Sequence, residues 1–290
     1  MCKPILFSTV LLLTTVSAWA ETPIDETRPL AADGRLHVSN VSGIISVQGW
    51  SRNEVEITGM LGEGVEKLEI SGDKNSLDVL VRNPNKRRDI GETTLTIKVP
   101  SGAGLDLEGV SADIIVSAVK GKLAATTVSG DVRLKVESEQ VAGRTVSGDI
   151  ELVAPSRDTK LYTVSGDVDA SGLQGRVALE TVSGDADLTG AGPFSDLQLK
   201  SISGDITVKG AFTADARVVG ETLSGDLLVK TAAPVSAALT VNTFSGAFNN
   251  RLASTASSSG PKGRHEIKLG DGKARIDLSS FSGDVTLSGP

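Results

Sequence analysis

The chain has 290 residues, with 29 Lys+Arg against 36 Asp+Glu and a formal charge of −7. That balance argues against a nucleic-acid binder, which needs a basic face to displace counterions from phosphates. One Cys excludes an intramolecular disulfide framework, 3% aromatic residues imply an aliphatic core, and the 32 Gly follow no three-residue period, which excludes collagen.

Residues 1–20 read as a secretory signal peptide. Lys3 supplies the basic start, Ile5 to Val16 the apolar run, and Ala18-Trp19-Ala20 the cleavage signal. The run is too short to span a bilayer, and no later stretch is long enough either. Cys2 precedes the run, whereas a lipid-anchoring Cys would follow it. Cleavage after Ala20 removes the only Cys and leaves 28 basic against 36 acidic residues. The expectation is export by the general route to the periplasm or cell surface, with no membrane span.

Residues 21–33 read as a flexible N-terminal segment, and 34–290 as one β-domain. Its first part alternates weakly: Leu36 to Val47 (carrying Val41-Ser42-Gly43), Val55 to Ile57, and Leu77 to Val81. Arg82 to Arg88 is polar and basic, hence a loop. Leu95 to Val99 is a strand closed by Pro100.

A tripeptide, Ser-Gly-Asp, then organises the chain. Its Ser stands at Ser129, Ser147, Ser165 and Ser183 in steps of 18, then at Ser203, Ser224 and Ser245 in steps of 20, 21 and 21. A last step of 37 reaches Ser282, and Ser111-Ala112-Asp113 is a degenerate copy 18 residues before Ser129. Thr or Ser stands two places before the tripeptide Ser, and Val, Ile, Leu or Phe one place before it. The Asp column is broken once, at Ala247. Ala253 to Gly263 is small, polar and turn-rich and accounts for the long step; Ile276 to Leu287 repeats the pattern and is expected to cap the stack.

Read with period 2, Thr-Val-Ser-Gly-Asp-Val-x-Leu places Val, Gly, Val and Leu on one side and Thr, Ser, Asp and x on the other. One such strand per 18–21 residues cannot bury its face alone; stacked copies can. The expected fold is all-β, a parallel β-solenoid (single-stranded β-helix) of about ten coils spaced by about 4.8 Å, with regular repeats over 111–248 and a C-terminal cap over 264–290. On this reading Val146→Asp buries an unpaired charge, and Phe244, Phe248 and Phe281 point inward.

The Val38-Ser39-Asn40-Val41-Ser42-Gly43 segment, the Ile97-Lys98-Val99-Pro100 strand and the run of Thr-Val-Ser-Gly-Asp-Val units resemble the bacterial secreted "putative adhesin" family. The resemblance covers about 34–290. It implies a secreted β-solenoid domain of unknown function, related to head domains, and brings no catalytic residues.

The residues that could carry an interaction are the outward ladders: Thr145, Thr163 and Thr181; Ser147, Ser165 and Ser183; Asp131, Asp149, Asp167, Asp185, Asp205 and Asp226. Stacked carboxylates could hold calcium or do acid–base work. The competing reading is that Ser and Asp cap backbone groups at a bend. Calcium-binding rolls need a Gly-rich corner at both ends of the coil, and here the second half-coil is irregular. His37 and His265 lie in strand-like segments, with no nucleophile elbow and no His/Cys zinc cluster. The expectation is a non-enzymatic protein without a cofactor, whose partner is an envelope protein or surface polymer. Alternatives are a glycan-binding or glycan-active β-helix, or a calcium-stiffened scaffold.

Overall fold

The computed structural model describes residues 22–84, 90–252 and 263–289. The leader and most of the 82–88 and 253–263 stretches lie outside the described residues. Every regular element described is a strand; there is no helix among the described residues. The chain opens with β1 (Thr22–Pro29), β2 (Arg35–Trp50), β3 (Glu54–Leu61), β4 (Lys67–Gly72), β5 (Ser76–Arg82) and β6 (Thr93–Pro100). The repeats begin with β7 (Gly104–Ser117), β8 (Leu123–Thr126), β9 (Val132–Lys135), β10 (Gln140–Arg144), β11 (Ile150–Val153), β12 (Asp158–Tyr162) and β13 (Val168–Glu180). They continue as β14 (Ala186–Ser201), β15 (Ile206–Gly210), β16 (Phe212–Thr222), β17 (Leu227–Thr231), β18 (Ala237–Thr243) and β19 (Phe248–Arg251). The last strands are β20 (Arg264–Lys268), β21 (Ala274–Ser280) and β22 (Val285–Ser288).

Each repeat supplies two strands, not the one expected, and each pairs in parallel with its counterpart in the neighbouring repeats. In one ladder Leu123 opposes Val141, Val141 opposes Thr159, and Thr159 opposes Val177. In the other Val132 opposes Ile150, Ile150 opposes Val168, and Val168 opposes Ala186. Equivalent side chains therefore stack on one another. Along most rungs Val, Leu, Ile and Ala alternate with outward residues, and the apolar set is buried between the two ladders. Each such side chain contributes about 1.5–3 kcal/mol on burial, which is how short strands with few aromatics build a core.

Chain order and stacking order differ at both ends. β2 lies between β7 on one side and β5 and β6 on the other, so the earliest full rung is not the outermost. Likewise β21 lies between β16 and β18, and β22 between β17 and β19. The last repeat in sequence thus does not cap the stack; it is slotted beneath the repeat that precedes it. Part of the outer edge is covered antiparallel instead, by β3 on β6, β1 on β3, β4 on β5, and β20 on β18, whereas β19 pairs with β22 alone among the described residues. Covering edges this way blocks open-ended strand addition. It also makes most of the expected flexible segment 21–33 a strand, β1, with Ile24 and Leu30 buried in the core.

Candidate functional site

The tripeptide is a corner between the two ladders, and the corner changes the phase of the alternation. Thr127, Thr145, Thr163 and Thr181 point inward and are fully buried, while the Val before each Ser points outward. Two consecutive outward residues, Val and Ser, turn the chain; from Ser onward the expected phase holds. The expected Thr ladder over Thr145, Thr163 and Thr181 is therefore not on the surface. Its hydroxyls close the turn: the Gly148 N–H donates to Thr145 Oγ1 at 3.1 Å, Gly166 to Thr163 at 3.1 Å, and Gly184 to Thr181 at 3.2 Å. Ser201, Thr222 and Ser280 accept equivalently from Gly204, Gly225 and Gly283. Buried donors need such partners.

The Gly of the corner lies almost against the rung below. A Cβ built on Gly166 would sit 1.8 Å from the Gly148 carbonyl oxygen, and one on Gly148 would sit 1.9 Å from that of Gly130. No side chain fits.

The Asp column ties successive rungs together. Each Oδ1 accepts the backbone N–H of the equivalent position one rung on: Asp149 donates to Asp131 at 3.0 Å, Asp167 to Asp149 at 2.9 Å, Asp185 to Asp167 at 2.9 Å, and Asp205 to Asp185 at 2.9 Å. Asp226 donates to Asp205, Asp284 to Asp226, and finally Ala247 to Asp284, each at 2.7 Å. Ala247 is the missing Asp, and its rung is the outermost parallel one, beyond which no equivalent N–H follows among the described residues. The six carboxylates proposed as a surface ladder are thus half-spent as inter-rung acceptors. Ser147, Ser165 and Ser183 are exposed, as expected.

Sequence reasoning missed a different surface. The residue before each corner Ser forms an exposed apolar rib: Val110, Val128, Val146, Ile202, Leu223, Phe281 and Phe244, with Val164 and Val182 half-buried between them. It ends in Phe281 and Phe244, 50% and 78% exposed, with rings stacked at 4.6 Å and 7°. Both were expected inward; only Phe248 packs against the core, its ring 5.0 Å from that of His265. A signal was available. The Thr column admits only Thr or Ser, which marks a hydroxyl with a fixed bond. The Val column grows freely to Leu and Phe, which a packed interior would resist.

Beside the Asp column, Glu151, Asp169 and Asp187 oppose one another directly, and with Asp149, Asp167 and Asp185 they line a shallow groove of about 490 Å³ that Arg133 flanks. His37, Asp106 and Glu108 bring three potential ligand atoms within 4.8 Å of one another, but Arg35 already holds Asp106 at 2.6 Å. Carboxyls held below their ordinary range lie elsewhere: Glu69 by hydrogen bond to Arg82, Asp73 by the Asn75 and Ser76 N–H groups, and Asp271 by the Ser236 hydroxyl. The first two stabilise a local hairpin and turn, the third ties the turn at Asp271 to Ser236 ahead of β18, and none lines the acidic groove.

Parallel two-strand repeats sharing hydroxyl, Gly and Asp columns define a repeat-built all-β domain. Residues 40–288 match the family model Toastrack DUF4097, and the chain belongs to that family. The "putative adhesin" resemblance points the same way. Similar solved structures include a putative lipid binding protein from Parabacteroides distasonis, 13% identical over 91% of this chain and 96% of that one, with a TM-score of 0.47. A putative adhesin from Bacteroides fragilis is 12% identical over 92% and 98%, with a TM-score of 0.40. A putative cell adhesion protein from Clostridium sporogenes is 11% identical over 93% and 100%, with a TM-score of 0.25. No curated protein matches the chain significantly.

Proposed function

We propose that the chain is a non-enzymatic, adhesin-like β-solenoid of about ten coils, secreted or held in the cell envelope, that engages an envelope protein or surface polymer along its apolar rib. The observation that carries this reading is a division of labour. The hydroxyl, Gly and Asp columns are used within the fold, whereas the rib is repeated on successive rungs and left in solvent. A contiguous exposed apolar strip rimmed by polar residues marks an interaction surface. Further support comes from the leader-like residues 1–20. No helix among the described residues is long and apolar enough to cross a membrane.

The test is site-specific photocrosslinking in the native envelope. A photoreactive residue at Ile202 or Leu223 is expected to yield a discrete adduct, and one at Arg176, away from the rib, none. Adducts from Arg176 but not from the rib would refute the reading. Phe244→Ser with Phe281→Ser is expected to keep the melting temperature and lose the adduct at Leu223.

A further inference from the structure

The ladder containing β10, β12, β13 and β14 carries a trough of about 390 Å³ whose chemistry is opposite to that of the acidic groove. The register places Arg144, Tyr162, Glu180 and Lys200 in one outward column, and Ala142, Lys160, Ala178 and Gln198 in the next. The guanidinium of Arg144 lies over the Tyr162 ring, 4.3 Å from its centroid. Among the described residues, Arg144, Lys160 and Lys200 have no carboxylate within ion-pair distance; Arg176, on the same face, pairs with Asp158 at 3.7 Å. Glu180 is the one carboxylate in the lining, so the trough is locally cationic on a chain of net charge −7.

We propose that this trough binds a carboxylate-bearing saccharide segment of the uronate type. Stacking on Tyr162 pre-orders the Arg144 fork, which matches a planar carboxylate with two parallel hydrogen bonds. Lys160 stands between Ala142 and Ala178, so its ammonium is reachable from both sides over a flat floor. The strands beneath are paired on both edges, so an extended peptide finds no backbone to pair with, and a ligand must be read by side chains and ring faces alone. A chain of pyranose rings crossing the rungs meets Arg144, Lys160 and Lys200 in turn. The acidic groove on the opposite ladder repels the same polymer, so binding is confined to one face and weakens as salt rises. This site is separate from the rib and does not depend on it.

Isothermal titration calorimetry of the mature chain at low salt, with oligogalacturonate as probe, tests the proposal. Binding is expected with oligogalacturonate and absent with a neutral maltooligosaccharide. Arg144→Gln with Lys160→Gln is expected to weaken it by about tenfold or more. Tyr162→Phe keeps the stacked guanidinium and binds as the parent does; Tyr162→Ala weakens binding. These side chains are at the surface, and unchanged melts confirm folding; Lys200→Gln supplies an independent variant. No heat with oligogalacturonate, or equal affinity in the double variant, overturns the proposal. So does equal binding of a poly-glutamate peptide, which would assign the trough to acidic polypeptides. So would loss of self-association in the double variant, seen by sedimentation, without saccharide binding by the parent, which would assign it to a second copy's acidic groove.

Discussion

Two buried glycines make opposite predictions for the same substitution. In Gly166→Ala the new Cβ would start 1.8 Å from the Gly148 carbonyl oxygen, more than 1 Å short of the 3.0 Å that real Cβ atoms keep, and 2.5 Å from its carbon. The obstacle is backbone, so the rung itself has to lift. Lifting it stretches the Ser165 N–H bond to Val146 O and the Asp167 N–H bond to Asp149 Oδ1, both 2.9 Å long. Two such bonds at about 1 kcal/mol each, with overpacking strain of about 1–3 kcal/mol, give a cost of roughly 3–5 kcal/mol. In a domain of this size that lowers the melting temperature by roughly 6–20 °C. Gly143→Ala is also buried, but its Cβ would meet Leu161 Cδ2 at 3.3 Å and Ile150 Cγ2 at 3.5 Å. Those are rotatable side-chain ends, so the change should stay within about 1 kcal/mol. Paired thermal and urea melts of the two variants decide the matter. Equal melts would mean that the corner glycines do not seat each rung on the carbonyl below.

Other substitutions separate the columns. Asp167→Ala should cost about 1 kcal/mol by stranding the Asp185 N–H, Asp167→Asn should recover most of it, and Ala247→Asp should be silent because no equivalent rung follows; urea melts check all three. Thr163→Val should cost about 1–3 kcal/mol by leaving the Gly166 N–H unpaired, with Thr163→Ser intermediate, and amide exchange at Gly166 should rise in step. Val146→Asp, on the rib, should cost within about 0.5 kcal/mol, whereas Ile150→Asp, four residues on and buried, should unfold the domain or cost several kcal/mol. Asp73 is held below the ordinary carboxylate range by the Asn75 and Ser76 N–H groups, so its contribution is full above the unfolded value and is lost as pH falls through the lower folded one. Acid-dependent exchange at Asn75 and Ser76, abolished in Asp73→Ala, is the expected signature.

The stacking of equivalent residues was legible because the period is close to constant over the middle repeats and because Gly and Asp keep their phase from one copy to the next. The interior beyond the corner was equally legible: Val132, Leu134, Ile150 and Leu152 are all buried, as simple alternation requires. What alternation could not show is where it resets. A strand reading carries its phase through Val146-Ser147, but two successive outward residues occupy the bend, so every assignment before the Ser inverts. Rung order was hidden for a different reason. β21 resembles β18 as much as it resembles β16, and nothing in a local pattern says which of two similar neighbours a coil will choose.

The single break in the Asp column resolves that ambiguity, since it is a statement about neighbours rather than about local structure. An Asp in this column is useful only if another rung offers an N–H to its Oδ1. Ser282-Gly283-Asp284 keeps its Asp although it comes last in the chain, and Ser245-Gly246-Ala247 lacks one although a further repeat follows in sequence. Together these require the last repeat to lie beneath the one before it, as the pairing of β22 with both β17 and β19 shows. The same logic separates structure from function at the surface. A column whose chemistry follows the presence of a neighbouring rung belongs to the fold. The rib carries its apolar side chain on to Phe244 in the outermost parallel rung, where no further rung remains to be bonded among the described residues, so its apolar character is not set by bonding between rungs.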